Sequence, residues 1–186
     1  MCDLNTVRPG KTLIAVDEIS EIVARLGREI SRDYEGRNPI LLNLLKGGVV
    51  FLADLIRQLD IPHLIEFMHV SSYENGTSSS GQVKIVDDLT CSVENRDVLI
   101  VEDVIDTGTT LAYISDMLQL RNPRSVEICT LLRKDLETDS RVSIRYVGKE
   151  IPNVFVVGYG LDYEGRFRNL PYIARLETGD ESSSDL

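Results

Sequence analysis

One uninterrupted apolar run constrains the fold of this chain more than any other feature. The segment ILLNLL spans residues 40–45, and a strand formed there presents apolar side chains on both of its faces. A strand covered on both faces is typical of a parallel sheet with helices packed on each side. The strongest strand pattern, DVLIVED at 97–103, is equally apolar until it ends in two acids. Both runs predict interior strands of a layered α/β fold.

Strand and helix patterns alternate along the rest of the chain. Asp17 can cap a first helix, and further helices are predicted after Gly47 and Gly48 and over residues 110–120. The apolar positions at helical spacing in these helices are Ile19, Ile22, Val23, Leu26, Ile30, Val49, Val50, Ala53, Leu55, Ile56, Leu111, Ile114 and Leu118. Other strands are predicted at 12–16, 63–70, 83–88, 125–132, 153–160 and 172–176. This order predicts a central, mostly parallel sheet flanked by helices.

Length and composition fit one domain. The 186 residues are 42% hydrophobic, which is enough to bury a sizeable core. We expect this domain to cover residues 1–177. The acidic, serine-rich segment 178–186 predicts a disordered tail.

The charge and the cysteine pattern exclude several classes of function. The net charge of −10 argues against nucleic-acid and anionic-membrane partners, because both require a basic surface. The three cysteines match no zinc-binding spacing and predict reduced thiols, and His63 and His69 lack plausible ligand partners. No apolar run approaches about 20 residues and no signal peptide is recognisable, so we expect a cytoplasmic protein.

Polar segments follow three of the predicted strands. Ligands of open α/β sheets bind outside the carboxyl ends of the strands. That rule points to residues 45–48, to residues 102–110 and to Lys134. The first two segments carry the glycines and hydroxyls of LKGG and TGTT, and neither matches the GxxxxGK[ST] or GxGxxG pattern.

The segment 102–110 combines carboxylates with a phosphate-binding sequence. Thr107 to Thr110 lie between a strand and a helix start, where unpaired N–H groups and the helix dipole favour an anion. Glu102 and Asp103 repel such an anion, but they can accept hydrogen bonds from a vicinal diol or bind Mg²⁺. A ribose 5-phosphate needs this combination. A helix cap with solvated acids is an alternative, and a phosphoacceptor receiver domain is another, although it leaves TGTT and LKGG unexplained.

Five segments resemble the type I phosphoribosyltransferase family in their sequences and in their order along the chain. The resemblance is strongest to the family members that act on 6-oxopurines. The segment VLIVEDVIDTGTTL at 98–111 is similar to the family's phosphoribosyl-pyrophosphate (PRPP) motif. The others are LLKGG at 44–48, SSY at 71–73, LLRK at 131–134 and VGYGLDYEGRFRNLPYI at 157–173. The resemblance implies a small hood, built from parts of the N-terminus and residues 150–177, and a flexible catalytic loop. It also implies purine salvage, in which the 5-phosphoribosyl group of PRPP passes to N9 of hypoxanthine or guanine and gives IMP or GMP and pyrophosphate.

The resemblance assigns the sugar and its phosphate to the PRPP motif. The positions matched to the ribose 5-phosphate are Glu102, Asp103, Asp106, Thr107, Gly108, Thr109 and Thr110. Asp106 matches the general base that accepts the proton of purine N7 while N9 attacks. A cap of the following helix is the alternative role for this carboxylate. Glu102, Asp103 and Asp162 match the residues that bind Mg²⁺.

Pyrophosphate and purine are assigned to other segments. Residues 45–48, the pyrophosphate loop, supply Lys46 and Gly47, and Arg168 adds a guanidinium fork. The peptide before Lys46 can be cis in this family. The positions matched to the purine are Lys134, Phe155, Val156 and Asp162. Lys134 donates to the 6-oxo group, which adenine lacks, and Phe155 stacks on the base. An exposed loop lysine and a core phenylalanine are the alternatives.

The polar segment 71–82, called the lid here, matches the flexible catalytic loop. By resemblance, Ser72 and Tyr73 lie at its tip and help to exclude water from the activated sugar. A plain hairpin loop is the alternative. Glu74 and Gly160 depart from common family residues, and we expect the glycine, which replaces an alanine, to be harmless.

The resemblance also implies partners. These are PRPP, a 6-oxopurine base and a second or further copies of the chain in a homodimer or homotetramer. A regulator on the same fold that binds PRPP or RNA is one alternative, and adenine or pyrimidine transfer is another. The choice among hypoxanthine, guanine and xanthine stays open.

Overall fold

The computed structural model describes residues 7–72, 83–135 and 142–178. Within these ranges the chain forms two sheets and three α-helices. The strands are β1 (Val7–Ile14), β2 (Ile40–Leu45), β3 (Leu64–Ser72), β4 (Val83–Asp87), β5 (Asp97–Ile105), β6 (Ser125–Lys134), β7 (Tyr146–Ile151), β8 (Val156–Val157) and β9 (Ile173–Thr178). The helices are α1 (Val16–Asp33), α2 (Val49–Leu55), which continues into a 3₁₀ turn at Ile56–Gln58, and α3 (Thr109–Gln119).

The central sheet has six strands in the order β4-β3-β2-β5-β6-β7. All neighbours are parallel except the edge pair of β3 and β4. The apolar run 40–45 forms β2, which lies between two parallel strands, so both its edges and both its faces are covered. The predicted α/β class with a mostly parallel sheet is therefore confirmed.

Two apolar layers cover the faces of this sheet. Along β2 the side chain of Leu41 enters the core under α1 and α2, whereas Leu42 enters the core under α3. The predicted inner face of α1 is confirmed, because Ile19, Ile22, Val23, Leu26 and Ile30 are all buried. Each such side chain contributes about 1.5–3 kcal/mol when it leaves water.

A second, antiparallel sheet joins the two ends of the described chain. Its order is β1-β9-β8, and Val7 of β1 pairs with Thr178 of β9. The sheet therefore combines an N-terminal strand with strands from the last quarter of the chain. Residues 158–172, between β8 and β9, form a compact loop whose turns use positive φ at Tyr159 and Phe167.

A buried carboxylate stabilises the edge of the central sheet where β5 begins. Asp97 is fully buried and accepts hydrogen bonds from Arg37, Arg124 and Ser125 at 2.7–2.8 Å. Paired in this way, the charge avoids the desolvation penalty of an isolated buried ion. The cluster lies at the end of β5 opposite to Glu102, so it supports the fold and not the candidate site.

Several expected boundaries were wrong. β1 begins at Val7 and not at residue 12, and the first helix has Ala15 as its N-cap, so Asp17 lies inside the first turn and caps nothing. The strand expected at 153–160 is only two residues long. β7 was not predicted, because Gly148, Lys149 and Glu150 interrupt its apolar pattern.

Several residues named in the sequence analysis lie outside the described ranges or have no role in the cleft. Tyr73, Glu74 and Cys2 lie outside the described residues, as does the acidic segment after Thr178. Ser72 ends β3. Cys91 and Cys129 are free thiols, and His63 faces a backbone carbonyl of Ile61. No helix in the ranges that the structure describes is long and apolar enough to cross a membrane.

Candidate active site

A cleft of about 480 Å³ opens at the carboxyl edge of the central sheet. The ends of β2, β5 and β6 form its floor, and the loop after β8 forms one wall. The cleft brings together most of the residues singled out in the sequence, which are Lys46, Gly47, Glu102, Asp103, Asp106, Thr107, Gly108, Thr109, Thr110, Lys134, Phe155, Val156, Asp162 and Arg168. The parallel register explains the convergence of the segments after β2, β5 and β6, because they leave the central sheet at the same edge, and β8 with the loop after it adds Phe155, Val156, Asp162 and Arg168.

Two adjacent carboxylates lie near the end of β5. They belong to the strand, which ends at Ile105, and not to the loop after it. Asp103 is buried, and its Oδ1 accepts the N–H of Val104 at 2.8 Å. Burial raises the pKa of Asp103 to about 6. Burial and the neighbouring charge of Asp103 also raise the pKa of Glu102 well above its usual range.

Glu102 carries a shielded oxygen that nothing satisfies within the described protein. Its Oε2 is buried and has no hydrogen-bond partner. A buried acceptor is costly unless a donor or a cation meets it. The pair of carboxylates therefore fits a ligand that brings hydroxyl groups or a divalent cation.

The donor set also fits a cation that is shared with a substrate. No group of three or more His, Cys, Asp or Glu side chains that could hold a metal occurs in residues 7–72, 83–135 and 142–178. Mg²⁺ commonly takes only one or two protein carboxylates and completes its shell with water and phosphate oxygens. Glu102 and Asp103 supply two such carboxylates, and Asp162 lines the same cleft.

The segment from Asp106 to Thr110, called the phosphate loop here, leads from β5 into α3. Gly108 is the N-cap of α3 and has a φ of 72°, in the left-handed region that favours glycine. No side chain caps the helix, so the alternative role of Asp106 as a helix cap is wrong. The hydroxyls of Thr107 and Thr109 lie 3.1 Å apart. The first N–H groups of α3 are left for an anion.

Asp106 and Lys134 form an ion pair across the cleft. Lys134 Nζ lies 2.8 Å from Asp106 Oδ2, and the lysine side chain is 13% exposed whereas the aspartate is 54% exposed. Lys134 is the last residue of β6. Its mostly buried, paired ammonium group is inconsistent with the alternative of an exposed loop lysine.

The pyrophosphate loop packs directly against the carboxylates of β5. The Leu45–Lys46 peptide is cis, the isomer that the resemblance allowed. A Cβ on Gly47 would overlap Asp103 Oδ2. Gly160 has a φ of +97°, and a Cβ there would overlap the carbonyl oxygen of Gly47. An alanine at position 160 would therefore require the loop to shift in this chain, and the expectation that the glycine is harmless stays a prediction.

The wall of the cleft carries an aromatic ring and a second charged pair. Phe155 is 52% exposed and contacts the ring of Tyr163 edge to face at 5.7 Å. This exposure argues against core packing as its role. Val156 is buried in β8. Arg168 pairs with Asp162 at 2.7 Å and also donates to the carbonyl oxygen of Gly160.

The cleft also contains residues that the sequence analysis did not single out. Leu44, Val70 and Leu161 line it, but their apolar side chains resemble any other core position in the sequence. Asn43 lies beneath the pyrophosphate loop. The sequence does contain a signal for this residue, because Asn43 is the only polar residue of the otherwise apolar run ILLNLL. The side chains of Ser72 and Tyr73 are outside the described part of the structure.

The fold and the cleft define a phosphoribosyltransferase architecture, and the comparisons agree. The family described as "Phosphoribosyl transferase domain" matches residues 11–164. A hypoxanthine-guanine phosphoribosyltransferase of Staphylococcus aureus is 47% identical over 167 residues, which cover 90% of this chain and 93% of that protein. The crystal structure of a hypoxanthine phosphoribosyltransferase from S. aureus superposes with a TM-score of 0.87 at 46% identity and covers 91% of this chain and 92% of that chain.

The chain therefore belongs to the hypoxanthine-guanine phosphoribosyltransferase family. A bifunctional protein TilS/HprT of Listeria innocua is 52% identical over 167 residues. Those residues cover 90% of this chain but 26% of that protein, so the chain spans about a quarter of this relative's length.

Proposed function

We propose that this chain transfers the 5-phosphoribosyl group of PRPP to N9 of hypoxanthine or guanine, giving IMP or GMP and pyrophosphate. The observation that carries the proposal is the single cleft in which the phosphate loop, the paired carboxylates of β5 and Lys134 meet. Each of the three fits one part of this reaction, namely the sugar phosphate, the sugar diol and the 6-oxopurine.

The sugar is proposed to lie between the phosphate loop and Glu102 and Asp103. The N–H groups at the start of α3 and the hydroxyls of Thr107, Thr109 and Thr110 bind the 5′-phosphate. The two carboxylates accept hydrogen bonds from the 2′- and 3′-hydroxyls. This placement directs C1′ toward the pyrophosphate loop, where Lys46 and the backbone of Gly47 bind the leaving group. Arg168 adds its guanidinium fork to the pyrophosphate oxygens.

Mg²⁺ is the proposed cofactor. Glu102, Asp103 and Asp162 would hold it together with oxygens of PRPP, and a bound Mg²⁺ supplies positive charge beside the departing pyrophosphate. The shielded, unpartnered Oε2 of Glu102 supports this assignment.

At the base, Asp106 is proposed to take the proton of N7 while N9 forms the bond to C1′ and the bond from C1′ to the pyrophosphate oxygen breaks. Lys134 donates to the 6-oxo group, and Phe155 stacks on the ring. The backbone of Val156 contacts the base edge. Because Lys134 pairs with Asp106 in the free enzyme, a 6-oxo group that accepts from Lys134 also releases the carboxylate for proton transfer.

The remaining expectations stay predictions. Ser72 and Tyr73 are proposed to belong to a lid that excludes water from the cleft, and assembly as a homodimer or homotetramer follows from the resemblance alone. The antiparallel pairing of β3 with β4 places residues 72 and 83, at the two ends of this segment, next to each other.

A spectrophotometric assay with PRPP and each of hypoxanthine, guanine, xanthine and adenine tests the proposed function. We expect turnover of at least one 6-oxopurine, no turnover of adenine, and loss of turnover when Mg²⁺ is replaced by EDTA. Absence of turnover with every 6-oxopurine in the presence of Mg²⁺ would falsify the assignment. Undiminished turnover in EDTA would remove Mg²⁺ from it.

The pairing of Lys134 leads to a prediction about base selectivity. In Lys134→Gln the amide can both donate and accept, so the preference for 6-oxo over 6-amino bases should fall by about 10–100-fold. The measurement is the ratio of kcat/KM for hypoxanthine and adenine. Lys149→Gln is the control, because Lys149 on β7 pairs with Glu18 and does not line the cleft. An unchanged ratio in Lys134→Gln would reject the role of Lys134.

A further inference from the structure

Asn43 is a polar residue at a position where a buried strand of a parallel sheet usually has an apolar one. It lies in β2, its side chain is fully buried, and its neighbours along the strand are leucines that form the two cores. Buried amides persist when they make a contact that an apolar side chain cannot make. The contacts of Asn43 therefore indicate why this position is polar.

The amide of Asn43 bridges the point where β2 separates from β5. The pairing of these strands ends at Asn43 and Val101, although β2 stays paired with β3 as far as Leu45 and β5 continues along β6 to Ile105. At this fork Asn43 Nδ2 donates to the carbonyl oxygen of Val101 at 2.8 Å. The side chain thus extends the connection between the strands beyond their backbone ladder. Val101 directly precedes Glu102 and Asp103.

The same amide also supports the pyrophosphate loop from below. A Cβ on Gly48 would overlap Asn43 Nδ2, so the loop backbone rests directly on this side chain. The oxygen of the same amide, Asn43 Oδ1, is buried and has no hydrogen-bond partner among the described residues. An unpaired buried acceptor destabilises the fold, which argues that stability alone does not account for this residue.

We infer that Asn43 is a positioning residue that fixes the distance between the pyrophosphate loop and the carboxylate pair of β5. It acts through Val101 on one side and through Gly48 on the other, and it touches no substrate. This inference rests on the proposed function, because it assigns Asn43 to the part of the reaction that binds PRPP and pyrophosphate. Binding of the purine, which is proposed to depend on Lys134 and Phe155, should not depend on it.

A pair of variants with nearly the same shape tests the inference. Asn43→Val removes the donor, whereas Asn43→Thr keeps a hydroxyl that can donate to a carbonyl, as Thr130 in β6 donates to Leu132 at 2.8 Å. We expect Asn43→Val to raise KM for PRPP, and KM for pyrophosphate in the reverse reaction, about tenfold. KM for the base should stay within about twofold. Asn43→Thr should recover much of the loss.

A control variant on the same strand separates this role from a merely structural one. Leu41→Val changes the same face of β2 two residues earlier, and it should lower the melting temperature without changing the ratio of the KM values for PRPP and base. If Asn43→Val does not fold, Asn43→Ala replaces it, with Mg²⁺–PRPP affinity measured by calorimetry. An equal rise of all KM values, or no rise in KM for PRPP and pyrophosphate, would overturn the inference. The wild-type chain could instead lack transferase activity and still bind PRPP more tightly than Asn43→Val does. That result would refute the proposed function but not the role of Asn43.

Discussion

Replacement of Asp106 by asparagine is expected to lower kcat by about 100–1,000-fold and to change KM for PRPP by no more than about threefold. The amide keeps the shape of the carboxylate and its position directly after β5, but it cannot accept the purine proton. Half of the Asp106 side chain is exposed to the cleft, and its one side-chain contact among the described residues is the ion pair with Lys134, in which the asparagine oxygen can still accept a hydrogen bond. Steady-state kinetics with both substrates, together with the affinity of the variant for PRPP, measure the effect.

Asp116→Asn is the matched control for this prediction. Asp116 lies on the exposed face of α3, eleven residues from the end of β5, and the same chemical change there should leave kcat unaltered. The role of Asp106 as a base would be contradicted by equal losses in kcat and PRPP affinity. Such a result would indicate instead that Asp106 binds the sugar phosphate.

The second large effect is expected for Gly47→Ala. A Cβ at this position overlaps Asp103 Oδ2, and Asp103 cannot withdraw freely, because it is buried and bonded to the N–H of Val104. Either the pyrophosphate loop or the carboxylate must move by about 1 Å, a displacement that commonly costs about 100-fold in rate. We therefore expect kcat/KM for PRPP to fall about 100-fold, while KM for the base changes little. Initial rates at varied PRPP and at varied base measure the two quantities.

Gly36→Ala provides the comparison for this substitution. Gly36 lies in the turn after α1, and its φ of +71° makes an alanine strained although open space surrounds it. This variant should be less stable than wild type but should bind PRPP normally. Normal kcat/KM for PRPP in Gly47→Ala would show that the contact with Asp103 is not needed for the reaction.

The sequence predicted the elements whose signal is local. The apolar run of β2 and the helical spacing from Ile19 to Ile30 each identify an element from consecutive residues, and both predictions were confirmed. Ligands of a parallel sheet bind at the carboxyl ends of its strands, and this rule predicted that residues from distant segments lie close together. The prediction did not require the strand order. Most of the candidate site was available in this way.

What the sequence did not predict depends on register between strands. The pairing of Asp106 with Lys134 joins residues 28 positions apart, and it follows from the alignment of β5 with β6, in which Ile105 lies opposite Arg133. The contact between Gly47 and Asp103 likewise depends on how β2 and β5 separate. β7 was missed because an edge strand needs fewer apolar residues than an interior one.

The pairing of β1 with β9 has a consequence for the construction of longer or rearranged proteins. Because Val7 lies opposite Thr178, the chain enters and leaves the second sheet at neighbouring points. A domain joined directly before Val7 or directly after Thr178 would therefore leave the second sheet at the same place. Residues 7 and 178 are also close enough for a short linker to join them and close the chain into a circle, so that new termini can be opened in a surface turn elsewhere.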